Sequence, residues 1–324
     1  MRLPILLQPA AKDYLWGGTR LNDDFGKGIR LSPLAETWEC STHPDGESLA
    51  DGEALSRVLA RHPDWLGTHP LATTGGRPVL PILIKLIDAR ADLSVQVHPD
   101  DAYALAHEGC LGKTEMWYVL AARPGAELVY GFERDVSADD VRRALERGSI
   151  DLLLNRVPVH PDDLFYIEAG TVHAIGAGCL IAEIQESSNL TYRLYDYGRL
   201  GRDGRPRPLH VEKALAVARL RSSALPRQPM RIFRYHPGCA FELLSRCRYF
   251  QVERMRLNTE ILRELVPYRT GPNSFHALLC VDGCGSIRAE GFMLNFFKGD
   301  CVFVPADSAP LRLHGKAQIL DVSC

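Results

Sequence analysis

The sequence has no long hydrophobic run, no strong excess of charge of either sign and no paired-cysteine motif. No apolar stretch approaches the length that crosses a bilayer, so no membrane span is expected. The opening residues Met1-Arg2-Leu3-Pro4-Ile5-Leu6-Leu7-Gln8 hold an apolar run too short for a secretory signal core and no small-residue cleavage pattern, which points to a cytoplasmic protein. A formal net charge of −2 over 324 residues argues against nucleic acid or an anionic membrane as a partner. Any anion must be captured by a local pocket. Nine cysteines are present, an odd number without a Cys-x-x-Cys pair. Cys280 and Cys284 stand closest but have no second Cys or His pair to complete a zinc knuckle, so all read as free thiols of a reducing compartment. Low-complexity tracts are missing, as is the regular strand–helix alternation of a doubly wound sheet.

What is present is an ordinary globular composition, 46% hydrophobic and 24% charged, with room for two domains. Strands are expected over 79–87, an apolar run carrying Lys85, and over 93–98, which stops at Pro99. Two more, 116–120 and 127–130, flank a turn at Arg123-Pro124-Gly125, and others follow at 164–167 and 180–185. Ser137 is placed to cap a helix, with Asp140 at the capping-box position and Val141, Ala144 and Leu145 as its apolar stripe, ending near Gly148. A second helix is expected over 209–220, burying Val211, Ala214, Leu215 and Ala218. The basic Gly/Pro-rich stretch 201–208 reads as a surface loop and 222–229 as a linker. Strands resume from 232, with Val281-Asp282-Gly283-Cys284-Gly285 as a turn and Lys298-Gly299-Asp300 leading into Val302-Phe303-Val304-Pro305. The strand–turn grammar of 78–200 recurs loosely in 240–324. The expectation is a mainly β protein of two cupin-type jelly-roll barrels with helical insertions. Residues 1–225 would form a barrel with N-terminal strands and helical insertions, and 226–324 a cupin-like β domain.

The segments that carry chemistry lie in the first part. In Ser94-Val95-Gln96-Val97-His98, alternation points Ser94, Gln96 and His98 one way and the valines into the apolar layer. Such polar groups are costly to bury without a metal or polar ligand as partner. In Gly112-Lys113-Thr114-Glu115-Met116-Trp117, the residues Lys113, Glu115 and Trp117 share a face. This is either a surface ion pair or a metal-binding carboxylate beside an ammonium that handles an anionic oxygen. His173 follows a strand and a Gly-Thr turn. Two imidazoles and a carboxylate, with Gln96 as a possible fourth ligand, suit zinc with an exchangeable position and equally suit the facial triad of non-haem iron oxygenases. The stretch from Ile181 to Arg199 is dense in groups able to bind a sugar.

Taken together, Trp16-Gly17-Gly18, His98-Pro99-Asp100-Asp101, Gly112-Lys113-Thr114-Glu115, Gly170-Thr171-Val172-His173-Ala174 and Tyr192-Arg193-Leu194-Tyr195-Asp196-Tyr197 resemble the type I mannose-6-phosphate isomerases, short bacterial branch. They run in family order over nearly the whole chain, weakest beyond about residue 225. The resemblance implies one Zn2+ per chain on His98, Glu115 and His173, with Gln96 where some members supply a fourth ligand. It puts Arg193 on the family's catalytic arginine and Ser94, Lys113 and Glu183 on the sugar-phosphate pocket. It further implies interconversion of mannose 6-phosphate and fructose 6-phosphate. A monomer or weak homodimer is expected, with no nucleic-acid or membrane partner. Two departures alter turns rather than ligands: Asp162-Asp163 stands where Gly-Asp is usual, and Glu168 where Pro is usual. The 226–324 unit has no comparable His/Glu set and is expected to be metal-free.

Aldose–ketose isomerisation through a cis-enediolate needs a base beside a carbonyl and positive charge for the oxyanion. Arg193 suits an enediolate or the phosphate. For the base, Glu183 is chemically plausible, whereas Lys113 would need a depressed pKa. The competing readings are an Fe(II)-dependent cupin oxygenase and a non-catalytic sugar-binding cupin.

Overall fold

The computed structural model describes residues 2–223, 231–261 and 264–324. It is a mainly β, cupin-type structure in which strands pair antiparallel throughout three large sheets. The first, of six strands, runs Leu164–Ile167, Glu115–Ala122, Cys179–Glu186, Ile82–Asp88, Glu36–Cys40 and Ala10–Lys12 in spatial order. The second, of five strands, runs Leu154–Pro158, Glu127–Phe132, His173–Ile175, Val95–Val97 and Tyr192–Tyr195. The two strands either side of the Arg123-Pro124-Gly125 turn therefore belong to different sheets, and the chain crosses the sandwich there. The third sheet has eleven strands and gathers the strands from Phe233 on, but Ile5–Gln8 also joins it, against Cys301–Val304.

The six-stranded sheet is buried on both faces, which accounts for the nearly unbroken apolar run Ile82–Asp88. Ile82, Ile84, Leu86, Met116, Tyr118 and Ile184 on one face share a core with Val252 and Leu279 of the C-terminal sheet and with Phe250 and Phe275, which immediately precede its strands. Ile87, Trp117, Val119 and Ile181 on the other face pack against Leu128, Val157 and Ile175 of the five-stranded sheet. Fully burying each such aliphatic side chain contributes about 1.5–3 kcal/mol. Period-2 alternation then puts Lys85, Glu115 and Glu183 on the face toward the five-stranded sheet.

The helix at Ala138–Glu146 starts as its sequence predicts. Ser137 Oγ accepts the Asp140 N–H and the Asp140 carboxylate accepts the Ser137 N–H, completing the capping box. The second helix is shorter than its periodicity suggests, Val211–Val217. Ala218 turns extended and the Arg219 N–H donates to Gly170 O at 2.8 Å, a tertiary partner invisible to a local pattern. The expected turn at 281–285 is not a turn. It lies inside one fourteen-residue strand, His276–Ala289, whose register shift at Cys280/Asp282 and left-handed Gly283 (φ 76°) absorb the glycines as a bulge. The expected linker at 222–229 lies, beyond residue 223, outside the described residues. Asp162 adopts φ 76°, so the aspartate occupies a left-handed position of the kind glycine fills at no steric cost, and Arg254 donates to its carboxylate at 3.0 Å.

Candidate active site

His98, Glu115 and His173 are brought together from three places in the two facing sheets. Glu115 begins a strand of the six-stranded sheet; His173 begins a strand of the five-stranded sheet, opposite Gln96, and His98 follows Val97 on the neighbouring strand. Their ligand atoms all lie within 4.8 Å of one another, and all three side chains are buried. His98 Nδ1–H donates to Leu190 O and His173 Nδ1–H to Thr171 O, each at 2.8 Å. These bonds fix both rings with Nε2 lone pairs facing inward, the outer-shell pattern of histidine metal ligands. Burial and the nearby Lys113 push the His98 pKa down to about 3, and burial also lowers that of His173, so both imidazoles are neutral.

Glu115 is the opposite case. Burial would raise its carboxyl, but the Lys113 ammonium beside it holds it well below the ordinary carboxylate range. Its Oε1 is 3.4 Å from His98 Nε2, and its Oε2, 3.5 Å from His173 Nε2, is buried with no hydrogen-bond partner. Three electron-pair donors thus converge with one orphaned oxygen, an arrangement that a cation between them would satisfy. The donor set fits zinc. Lys113 Nζ meanwhile donates to Glu115 Oε1 and lies 3.4 Å from His98 Nε2. The Gln96 amide ends 3.4 Å from His173 Nε2 and, turned end for end, would present its oxygen there.

Gln96 and Lys113 separate this cluster from a cavity of about 280 Å³, whose wall also includes Glu183, Arg193, Glu36, Lys85, Tyr14, Trp16 and Arg207. Arg193 Nη1 donates to Pro208 O at 3.0 Å, while its Nε is buried without a partner. Glu183 Oε1 accepts from Trp117 Nε1 at 2.8 Å, and Oε2 lies 3.2 Å from Lys85 Nζ. Burial first and Glu115 second raise the proton affinity of Glu183. Ser94 is buried just before the Val95–Val97 strand and is not among the residues lining the cavity.

The residues that sequence reasoning missed are Glu36 and Lys85 as a pair, and Arg207. Trp117, Glu183, Lys85 and Trp38 stand in register across four strands. Lys85 lies 3.8 Å from Glu36, and its ammonium sits 5.0 Å from the centre of the Trp38 ring. The signal was available: a lone lysine inside a run buried on both faces must have buried anions as partners.

Facing sheets that bury two imidazoles and a carboxylate beside a charged cavity define a cupin with a metal-ligating donor set. Residues 5–116 match the model of the phosphomannose isomerase type I catalytic domain, and residues 241–324 that of the mannose-6-phosphate isomerase cupin domain. The chain is 35% identical to mannose-6-phosphate isomerase of Streptococcus mutans, covering 99% of this chain and 98% of that one. It is 36% identical to mannose-6-phosphate isomerase ManA of Bacillus subtilis, covering 98% of each. A crystal structure of the mannose 6-phosphate isomerase from Bacillus subtilis superposes with a TM-score of 0.88 at 32% identity over 99% of both chains. The chain belongs to the type I mannose-6-phosphate isomerase family.

Proposed function

We propose that this protein interconverts mannose 6-phosphate and fructose 6-phosphate through a cis-enediolate, with one zinc ion per chain held by His98, Glu115 and His173 and with Gln96 as a fourth ligand. The observation that carries the reading is the orphaned Glu115 oxygen between two neutral imidazoles, directly behind a cavity lined by Lys113, Glu183 and Arg193. Zinc, when bound, supplies Lewis-acid polarisation of a substrate carbonyl or hydroxyl oxygen. A cation on the triad would compete with Lys113 for Glu115, leaving the ammonium to hold a sugar oxygen. Glu183 is the proton carrier between the two reacting carbons. Its raised proton affinity brings it nearer the working pH, and Trp117 and Lys85 fix its orientation. Arg193, permanently charged and without a carboxylate partner among the described residues, faces the oxyanion. An iron oxygenase would have the same triad but no use for these three cavity residues.

We place the catalytic unit in 1–225 and a metal-free cupin-like unit in 226–324, in a cytoplasmic monomer or weak homodimer without nucleic-acid or membrane partners. Nine free thiols suit a reducing compartment, and among the described residues no helix is long and apolar enough to cross a membrane. A coupled isomerase assay with metal analysis of the same preparation tests the reading. About one zinc per chain and turnover of mannose 6-phosphate are expected. Oxygen uptake without isomerisation would overturn it.

A further inference from the structure

The cavity beside the metal ligands has two ends. One is walled by Gln96 and Lys113, which touch the His–Glu–His cluster. The other is walled by Tyr14, Trp16 and Arg207, which also line a second space of about 250 Å³ with Asp13, Arg199 and Arg202. These three residues are therefore common to the walls of the two adjoining spaces.

Arg207 is built into that shared wall. Its Nε and Nη2 donate to the two carboxylate oxygens of Asp196 at 2.8 and 2.6 Å, a forked pairing that fixes the plane of the guanidinium. Asp196 is itself buried, 4% exposed, and also accepts from Arg199. One carboxylate therefore serves two guanidinium groups, and the trio keeps one net positive charge. Arg207 Nη1 has no protein partner among the described residues, so its two hydrogens remain available to a ligand. The other cations of the cavity wall are placed differently: Lys85 is matched by Glu36 and Glu183, and Lys113 by Glu115. Only Arg193 and the Arg207 trio are left with uncompensated charge.

An open-chain hexose 6-phosphate is also two-ended, with reacting carbons 1 and 2 at one end and a dianion at the other. Resting on the isomerase reading above, we propose that Arg207, oriented by Asp196, recognises the phosphate end of the sugar, leaving Arg193 at the metal end for the reacting carbons. Arg207 is thus a specificity residue, and Asp196 positions it.

The test is Arg207→Gln in the zinc-loaded enzyme, assayed on mannose 6-phosphate. Arg199 stays on Asp196, so the buried carboxylate keeps a partner. The expected result is a KM raised on the order of 10–100-fold with kcat changed less than about threefold, the signature of lost ground-state anion binding. The inhibition constant of inorganic phosphate should weaken in parallel, and Arg207→Lys, which keeps the charge without the fork, should fall between. An unchanged KM, or a loss confined to kcat, would overturn the assignment. So would weakened mannose 6-phosphate binding with unaltered phosphate inhibition. Failure of the wild-type enzyme to turn over mannose 6-phosphate would instead remove the isomerase reading on which the assignment rests.

Discussion

Replacing Lys85 by Met keeps the volume of the side chain and removes its charge from a place where two carboxylates depend on it. Lys85, Glu36 and Glu183 are all nearly inaccessible, at 4%, 9% and 4% side-chain exposure. At an effective dielectric constant near 20, the separations of 3.2 and 3.8 Å correspond to about 5 kcal/mol of attraction to Glu183 and about 4 kcal/mol to Glu36. Desolvating the ammonium takes back much of this. Burial works against the charge of Lys85, yet the two carboxylates still hold its pKa above the ordinary lysine value. Removing one member of a buried ionic cluster costs about 3–5 kcal/mol, because the remaining charges lose their partner. That is a large share of the roughly 5–15 kcal/mol by which a protein is stable.

The cost has a definite pH dependence. Burial and Glu115 already raise Glu183, and without Lys85 it must rise further. Between its unfolded pKa, about 4.3, and the raised native value, the native state binds more protons than the unfolded state. Stability of Lys85→Met therefore falls as pH rises through that window, by up to about 1.4 kcal/mol per pH unit, and levels off above it. Urea denaturation of wild type and variant at pH 5 and pH 8 measures both effects. A difference smaller than about 1 kcal/mol at pH 8, or one equal at the two pH values, would refute the buried-cluster account.

Three further outcomes are expected. His98→Ala or His173→Ala should abolish zinc binding and activity, read by metal analysis, while far-ultraviolet circular dichroism stays close to wild type, since each ring contributes a donor that a methyl group cannot replace. Arg193→Lys should retain zinc and lose kcat on the order of 10²–10³-fold; a rise in KM alone would move Arg193 from the oxyanion to substrate binding. Burial and Asp101 push Glu186 up to about 8, above its unfolded value, so wild-type stability should decline as pH rises toward 8. Glu186→Gln should flatten that decline, measured as urea midpoints at pH 6 and pH 8.5.

How much of this was legible in the sequence depended on how local each signal was. The capping box at Ser137 and the alternation through Gln96 and His98 are written within a few residues. So is the Lys113–Glu115–Trp117 face. Each could be read without knowing the fold. The cluster around Lys85 could not, because Glu36 and Glu183 reach it from strands roughly 50 residues before and 100 after, joined only by sheet register. Arg207 was hidden for a different reason. Its Gly/Pro-rich, basic surroundings have the composition of a solvated loop, and nothing local reveals that Asp196, eleven residues earlier, is buried beneath it. Gly283 misled because a bulge in a long strand and a turn use the same residue for the same left-handed backbone.

Among the described residues, none of the C-terminal sheet lines the cavity beside the His–Glu–His cluster. Its contribution is mechanical. A row of charged groups on one face of a sheet is tolerable only if their spacing is held, and a sheet exposed on its other face would be free to twist. Here the strand bearing Glu115 and Trp117 turns Met116 and Tyr118 to the C-terminal core. Tyr118 OH accepts from Arg254, a fully buried arginine that also donates to Glu242 at 2.8 Å within the C-terminal sheet. Packing and a charge-assisted hydrogen bond thus clamp that strand from behind. The face that carries Glu115, Glu183 and Lys85 is therefore backed by the C-terminal sheet.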